Sequence, residues 1–215
     1  VTGSNVNSPI TTVLIHGFGA CKEHWRNNQS VLGELGPCYA IDLIGFGESS
    51  QPNAQLLNDD DDKQDHFVYC FDNWSDQIVD FCNAVIKKPV LLIGNSIGGV
   101  IALNTSRKLS EKCLGIILID CAQRTMDDKR LAEQSLLMRF LRPVIKTLVR
   151  QRFLSANLFK NAANPAFIEK ILKVAYPSGS NVNGELINIL LKPTQGEGAP
   201  EAFRGFINLF DDYLA

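Results

Sequence analysis

Histidine is scarce in this 215-residue chain: His16, His24 and His66 are the only three. Chemistry that needs an imidazole base therefore has few candidates. No C-x-x-C pair occurs either. The six cysteines, Cys21, Cys38, Cys70, Cys82, Cys113 and Cys121, are scattered, which argues against a zinc site. They read as reduced, mostly buried thiols of an intracellular protein. No uninterrupted run reaches the roughly 20 apolar residues that a membrane span requires. The longest apolar stretch, residues 89–103, is broken by Gly94-Asn95-Ser96 and Gly98-Gly99. No hydrophobic segment opens the chain; residues 1–9 are polar and rich in Gly, Asn and Ser, so no secretory signal is expected. Neither sign of charge dominates: the net charge of −2 argues against nucleic acid as the main partner. No internal repeat is present.

What remains is the composition of an ordinary globular domain with a sizeable core. Residues 11–16, 38–43, 89–93 and 114–119 are short, nearly continuous apolar runs, which predict strands covered on both faces. Helical patterns lie between them. Trp74, Ile78, Phe81, Cys82 and Val85 recur at three- and four-residue spacing, predicting a helix over 74–86 with Asp72 or Asn73 as its cap. A second helix is expected over 97–109. Strands and helices alternating at these lengths imply an α/β fold with a parallel, doubly wound sheet.

Beyond Asp120 the strands stop. Residues 124–160 are helical in pattern and carry nine basic residues against three acidic ones. Pro143 is expected to divide this segment into two helices. Further helices are expected over 167–176, 185–191 and 203–213, with a loop at 196–200. The acidic run Asp59-Asp60-Asp61-Asp62-Lys63 lacks the ligand spacing of a calcium loop and reads as a solvated loop.

The chemistry concentrates at Gly94-Asn95-Ser96-Ile97-Gly98-Gly99, directly after the third strand. Strand, G-x-S-x-G, helix is the nucleophile-elbow pattern, in which a serine sits on a sharp turn facing solvent. Ser96 is the candidate nucleophile. Its oxyanion donors are expected to be the backbone N–H of Ile97, at the start of the helix, and that of Phe18. The latter belongs to His16-Gly17-Phe18-Gly19, the loop after the first strand, where Gly17 and Gly19 allow the backbone to fold beneath a substrate carbonyl.

Residues 12–20 (TVLIHGFGA), 42–49 (DLIGFGES) and 94–99 (GNSIGG) together resemble the α/β-hydrolase superfamily, in order and spacing. Glu23-His24-Trp25-Arg26 and Leu190-Leu191-Lys192-Pro193-Thr194 are similar to plastid and cyanobacterial members, the pheophytinase and chlorophyll dephytylase group of esterases. The resemblance implies an α/β-hydrolase core over residues 1–123, a helical cap over 124–200, and a return towards the core over 201–215. It implies acyl-ester hydrolysis without a metal or organic cofactor, on a small apolar ester such as a prenyl or phytyl ester of a tetrapyrrole, in the cytoplasm or the plastid stroma.

The family places an acid after a later strand and a histidine after the last one. Neither has a counterpart here, so both are expected beyond Ala215, the last strands are expected to be missing, and residues 1–215 alone are expected to be nearly inactive. His16 would support the oxyanion loop, and neither His24 nor His66 would reach the elbow. Asp120, at a strand end, is the one acid in a position some relatives use, although a strand-end Asp is more often bonded to backbone. Asp42 is expected to brace the Gly45-Phe46-Gly47 turn, and Trp25 to line the pocket beside Phe18. The alternatives are a non-catalytic hydrolase-fold binding protein, or C–C hydrolase or haloperoxidase chemistry on the same scaffold. Leu137, Phe140, Leu141, Val144, Ile145 and Leu148 share one face of the basic cap segment, which suggests either a cap packed on the core or a peripheral membrane contact.

Overall fold

The computed structural model describes residues 2–3, 8–56, 65–122 and 136–209. Among the described residues six strands occur: β1 (Thr11–Ile15), β2 (Cys38–Ile41), β3 (Asn53–Gln55), β4 (His66–Val68), β5 (Val90–Asn95) and β6 (Cys113–Ile119). Eight α-helices accompany them there: α1 (Arg26–Leu35), α2 (Phe71–Phe81), α3 (Ile97–Leu109), α4 (Leu136–Arg150), α5 (Arg152–Ala162), α6 (Pro165–Ala175), α7 (Gly184–Leu191) and α8 (Ala199–Ile207). The chain divides into two units. The first runs to Ser49 and resumes over Phe71–Ala122. The second joins Ser50–Cys70 to the described part of Gln123–Tyr213.

The first unit holds a four-stranded sheet in the order β2-β1-β5-β6, with every pairing parallel. From β1 the chain steps outward to β2. It then returns to the other side of β1 for β5 and continues outward to β6. The order therefore reverses between β1 and β5, and the carboxyl ends of those two strands form the crevice where doubly wound sheets bind ligands. The expected α/β architecture is present.

Burial across this sheet is uneven. β1 is buried along its whole length, and Val13, Leu14 and Ile15 are fully inaccessible. β6 departs from the expectation of cover on both faces: Leu114, Ile117, Leu118 and Ile119 are exposed. The reason is position, because among the described residues β6 pairs with β5 alone and forms the sheet edge. The opposite edge is shielded by a short antiparallel bridge, in which the N–H groups of Thr2 and Cys38 each donate to the other's carbonyl.

The helices of this unit begin and end for local reasons. α3 occupies the expected residues 97–109. α2 starts at Phe71, earlier than expected, so Asp72 lies in its first turn rather than capping it. It passes into a π turn over Cys82–Ile86, closed by Lys87 in the left-handed conformation.

The second unit has helices and one small parallel sheet, β3 against β4. Neither three-residue strand has an apolar run to betray it. The described residues of Ser50–Cys70 belong to this unit, and α8 holds β3. Buried Arg204 donates from Nη1 to the Ala54 carbonyl (3.2 Å) and from Nε to the Arg150 carbonyl (3.0 Å). Glu201 pairs with Arg204 (3.2 Å) and accepts the Ala54 N–H (3.2 Å).

Ser50–Cys70 joins the helical unit, and so does α8. The expected break at Pro143 is corrected. α4 runs through it and ends at Arg150, where Gln151 turns to an extended conformation. The expected loop at 196–200 gives way to helix at Ala199, with Pro200 in the first turn, where its missing N–H costs no intrahelical bond. α6 and α7 start where Asn164 and Asn183 accept the N–H groups of Phe167 and Leu186. The acidic run 59–63 lies outside the described residues.

Candidate active site

Ser96 joins β5 to α3 with φ 54° and ψ −120°, a left-handed backbone that a non-glycine residue adopts at a cost of about 1–3 kcal/mol. Three backbone hydrogen bonds hold it there. Its N–H donates to the Ile119 carbonyl (3.0 Å), and its carbonyl accepts from Gly99 (3.0 Å) and Ala122 (3.1 Å). The side chain is half-buried, and its hydroxyl makes no hydrogen bond among the described residues. The turn closes tightly because its flanks lack side chains. A Cβ on Gly94 would strike the backbone of Gly98, and one on Gly98 would strike the carbonyls of Ile15 and His16. The two glycines thus let helix, β5 and β1 converge at one point.

That convergence puts the loop after β1 beside the serine. A Cβ on Gly17 would lie 3.1 Å from the Cβ of Ser96. His16 controls this loop. It is fully buried, and the Leu43 N–H donates to its Nε2 (3.1 Å). Nε2 is therefore the acceptor nitrogen, which leaves the proton on Nδ1, and Nδ1 donates to the Gly17 carbonyl (2.8 Å). Ala20 N–H donates to the same carbonyl (3.2 Å). In a trans peptide the carbonyl and the following N–H point in opposite directions, so fixing the Gly17 carbonyl also fixes the Phe18 N–H on the reverse side. Burial pushes the His16 pKa down to about 4, against the raising effect of the Gly17 carbonyl, so the ring is neutral at pH 7. Gly19, with φ 68°, completes the loop.

Aromatic rings steady the same region. Phe46 meets His16 and Phe18 edge-on, with centroids 5.5 and 5.9 Å away, and lies 6.0 Å from Trp74. Trp74 Nε1 donates to the Ile44 carbonyl, and Gln77 bonds both the Ile44 N–H and the Asp42 carbonyl. The Asp42 carboxylate accepts the N–H groups of Lys22 (2.6 Å) and Glu48 (3.0 Å), so it braces two loops at once. Phe46, Gln77 and Asn95 were not legible as site residues in the sequence. Asn95 Nδ2 reaches the Ile119 carbonyl (3.3 Å), tying the elbow to the end of β6; only its place inside G-x-S-x-G hinted at a role.

The remaining candidates fall elsewhere. Trp25, expected in the pocket, is only 7% exposed and packs against Leu14, Cys38 and Ile93, so it is a core residue. Asp120 ends β6 exposed, with φ 45°. His24 sits on the 3-10 turn Lys22–Trp25; burial first, then Arg26, lowers its pKa. His66 belongs to β4 in the second unit. No imidazole bonds the Ser96 hydroxyl among the described residues.

Cys21, Glu23 and Asp42 bring potential ligand atoms within 4.8 Å of one another. The positive charge in that cluster is Lys22, whose ammonium contacts Asp42 (2.9 Å), Glu23 (3.2 Å) and Glu48 (2.6 Å). Burial, reinforced by Glu23, pushes the Cys21 thiol up to about 12, so it carries no charge at pH 7 and is a poor ligand. All six cysteines are free thiols.

A family described as "Alpha/beta hydrolase family" matches residues 12–201. The chain belongs to that family. Among similar proteins is 1-acylglycerol-3-phosphate O-acyltransferase ABHD5 of Sus scrofa, 33% identical over 116 residues, which are 54% of this chain and 31% of the relative. Another is the (lyso)-N-acylphosphatidylethanolamine lipase of Mus musculus, 31% identical over 108 residues, 50% of this chain and 29% of the relative. The chain thus spans less than a third of the length of either. The solved structure of epoxide hydrolase CorEH matches 98% of this chain and 68% of its own, with a TM-score of 0.71 and 16% identity, a likeness of fold. Members of the α/β-hydrolase family are generally hydrolytic enzymes, and the crevice beside Ser96 is where this fold class keeps its reacting groups.

Proposed function

We propose that this chain carries the nucleophile and oxyanion donors of a serine hydrolase that cleaves a carboxylic ester of an apolar substrate through an acyl-enzyme. The Ser96 hydroxyl oxygen adds to the ester carbonyl carbon as its proton passes to a general base. The N–H groups of Ile97 and Phe18 hold the resulting oxyanion. Collapse of the adduct expels the alcohol, which takes up that proton, and water then releases the acid by the same steps. The observation that carries the reading is Ser96 itself, half-exposed at a left-handed strand-to-helix turn beside Gly17. His16 is not the base, since both its ring nitrogens are committed to backbone.

The substrate class follows from two likenesses. The relatives ABHD5 and the lipase are named for acylated phospholipids. The finer resemblance, to pheophytinase-like esterases, suggests a phytyl ester of a tetrapyrrole in a reducing compartment. An ester with one long apolar arm is common to both. A second reading, a non-catalytic binding protein on this fold, is favoured by the lack of an imidazole at the Ser96 hydroxyl among the described residues.

Exogenous imidazole separates the two readings by standing in for the base. Hydrolysis of p-nitrophenyl butyrate by the chain is expected to rise with added imidazole, by at least about tenfold over Ser96→Ala. Mass spectrometry is expected to find the acyl group on Ser96. Equal rates for the chain and Ser96→Ala would leave the binding reading standing and end the hydrolase one.

A further inference from the structure

The outward face of α6 is at odds with its surroundings. Phe167, Ile171 and Val174, at positions i, i+4 and i+7, are 42, 52 and 76% exposed, while Leu172 on the opposite side is buried. A single exposed apolar side chain is unremarkable, but a row of three along one helix marks an interaction surface. The same unit repeats the pattern on α4, where Leu141, Val144 and Leu148 are exposed at i, i+3 and i+7, and Phe153 at the start of α5 is 79% exposed.

Charge identifies what such a surface meets. Over residues 136–175, the span of α4 to α6, eight Lys and Arg residues stand against one acid, Glu169. That is +7 in a chain whose total is −2. Lys170 and Lys173 lie within the α6 row itself, Lys173 paired with Glu169 (2.7 Å), and exposed Arg152 and Lys160 mark the two ends of α5. Apolar side chains interspersed with cations are the pattern of a helix lying in a bilayer interface, its apolar side among the acyl chains and its cations among anionic headgroups. No described helix is long and apolar enough to cross a membrane.

We infer that the α4–α6 surface of the second unit docks peripherally on an anionic phospholipid bilayer. The inference is independent of the hydrolase reading, since docking is read without turnover and Ser96→Ala is expected to dock unchanged. Sedimentation with phosphatidylcholine vesicles containing about 30% phosphatidylserine tests it, with pure phosphatidylcholine vesicles as the comparison. Binding is expected on the anionic vesicles only, falling roughly tenfold as salt rises from about 0.1 to about 0.5 M.

The triple variant Phe167→Ser/Ile171→Ser/Val174→Ser and the pair Lys170→Glu/Lys173→Glu are each expected to lose at least about tenfold in binding with unchanged circular dichroism, because these side chains face outward. Leu114→Ser, an exposed apolar position on β6, is expected to bind like the parent and so excludes general stickiness. Equal binding to neutral vesicles would overturn the inference, as would full binding by the triple variant. Self-association of the parent that the triple variant abolishes, read by light scattering, would make the face an interface between copies and overturn it equally.

Discussion

Strands β5 and β6 lie side by side in register, Leu92 against Ile116 and Ile93 against Ile117, and are almost equally apolar. Their surroundings are opposite. Val90 and Leu92 are inaccessible and Ile93 is nearly so, whereas Leu114, Ile117, Leu118 and Ile119 are all more than 40% exposed. An apolar run reports that a strand calls for cover; it does not say what supplies it. The difference also bears on the site. Ser96 ends the covered strand, yet its N–H and the Asn95 amide both rest on Ile119 at the end of the open one. The elbow is thus carried on one side by a crowded crossing of backbones and on the other by an edge.

Glycine substitutions test this contrast most severely. A methyl group on Gly98 meets the carbonyls of Ile15 and His16, which are backbone and cannot give way. Gly98→Ala is expected to cost at least about 4 kcal/mol and to yield little folded protein. Gly115→Ala on β6 places its methyl 3.5 Å from the flexible end of Leu91, an ordinary contact. Its effect is expected within about 0.5 kcal/mol. Urea unfolding of both variants measures the gap, and equal costs would erase the distinction between the strands.

Large-to-small changes sharpen it further. Leu92→Ala is expected to destabilise by about 2–5 kcal/mol, as a fully buried leucine does. Leu118→Ala, 44% exposed, is expected to cost less than about 1 kcal/mol. A Leu118 cost equal to that of Leu92 would mean that the β6 face is covered in solution.

How much of this was legible in the sequence depended on whether the deciding contact was local. The four strands of the main sheet and α3 were, because continuous apolar runs and the G-x-S-x-G junction are local signals. So was the proximity of the His16-Gly17 loop to Ser96, which follows from two adjacent parallel strands ending at one level. β3 and β4 were not, since each is only three residues long and β3 is held by the distant Arg204 and Glu201. Nothing in residues 50–70 announces that partnership. Pro143 was misjudged because its effect was read from the helix interior alone, while the chain turns only at Gln151. Trp25 was assigned to the pocket because the sequence cannot say which side of the sheet its ring covers. The exposure of β6 is likewise a property of its neighbours, which its own residues do not encode.

Protonation offers the gentlest probe of the covered side. His16 follows β1, the strand flanking β5, and is wholly buried, whereas Asp120 at the end of β6 is exposed. With a folded pKa of about 4 against 6.5 in the unfolded chain, His16 binds fewer protons in the native state throughout that window. Its contribution to stability is therefore present above pH 6.5 and is lost as pH falls towards 4. Between pH 7 and pH 5 this single group is expected to remove about 2 kcal/mol. Carboxylates contribute to acid sensitivity too, so the informative quantity is the difference between the chain and His16→Gln, which has no titrating ring. The variant is expected to start less stable at pH 7, having exchanged a fitted imidazole for a flexible amide, and to lose less on acidification. Parallel stability profiles for the two proteins would mean that the ring is open to water, and the pinned Gly17 carbonyl that orients the Phe18 N–H would lose its physical basis.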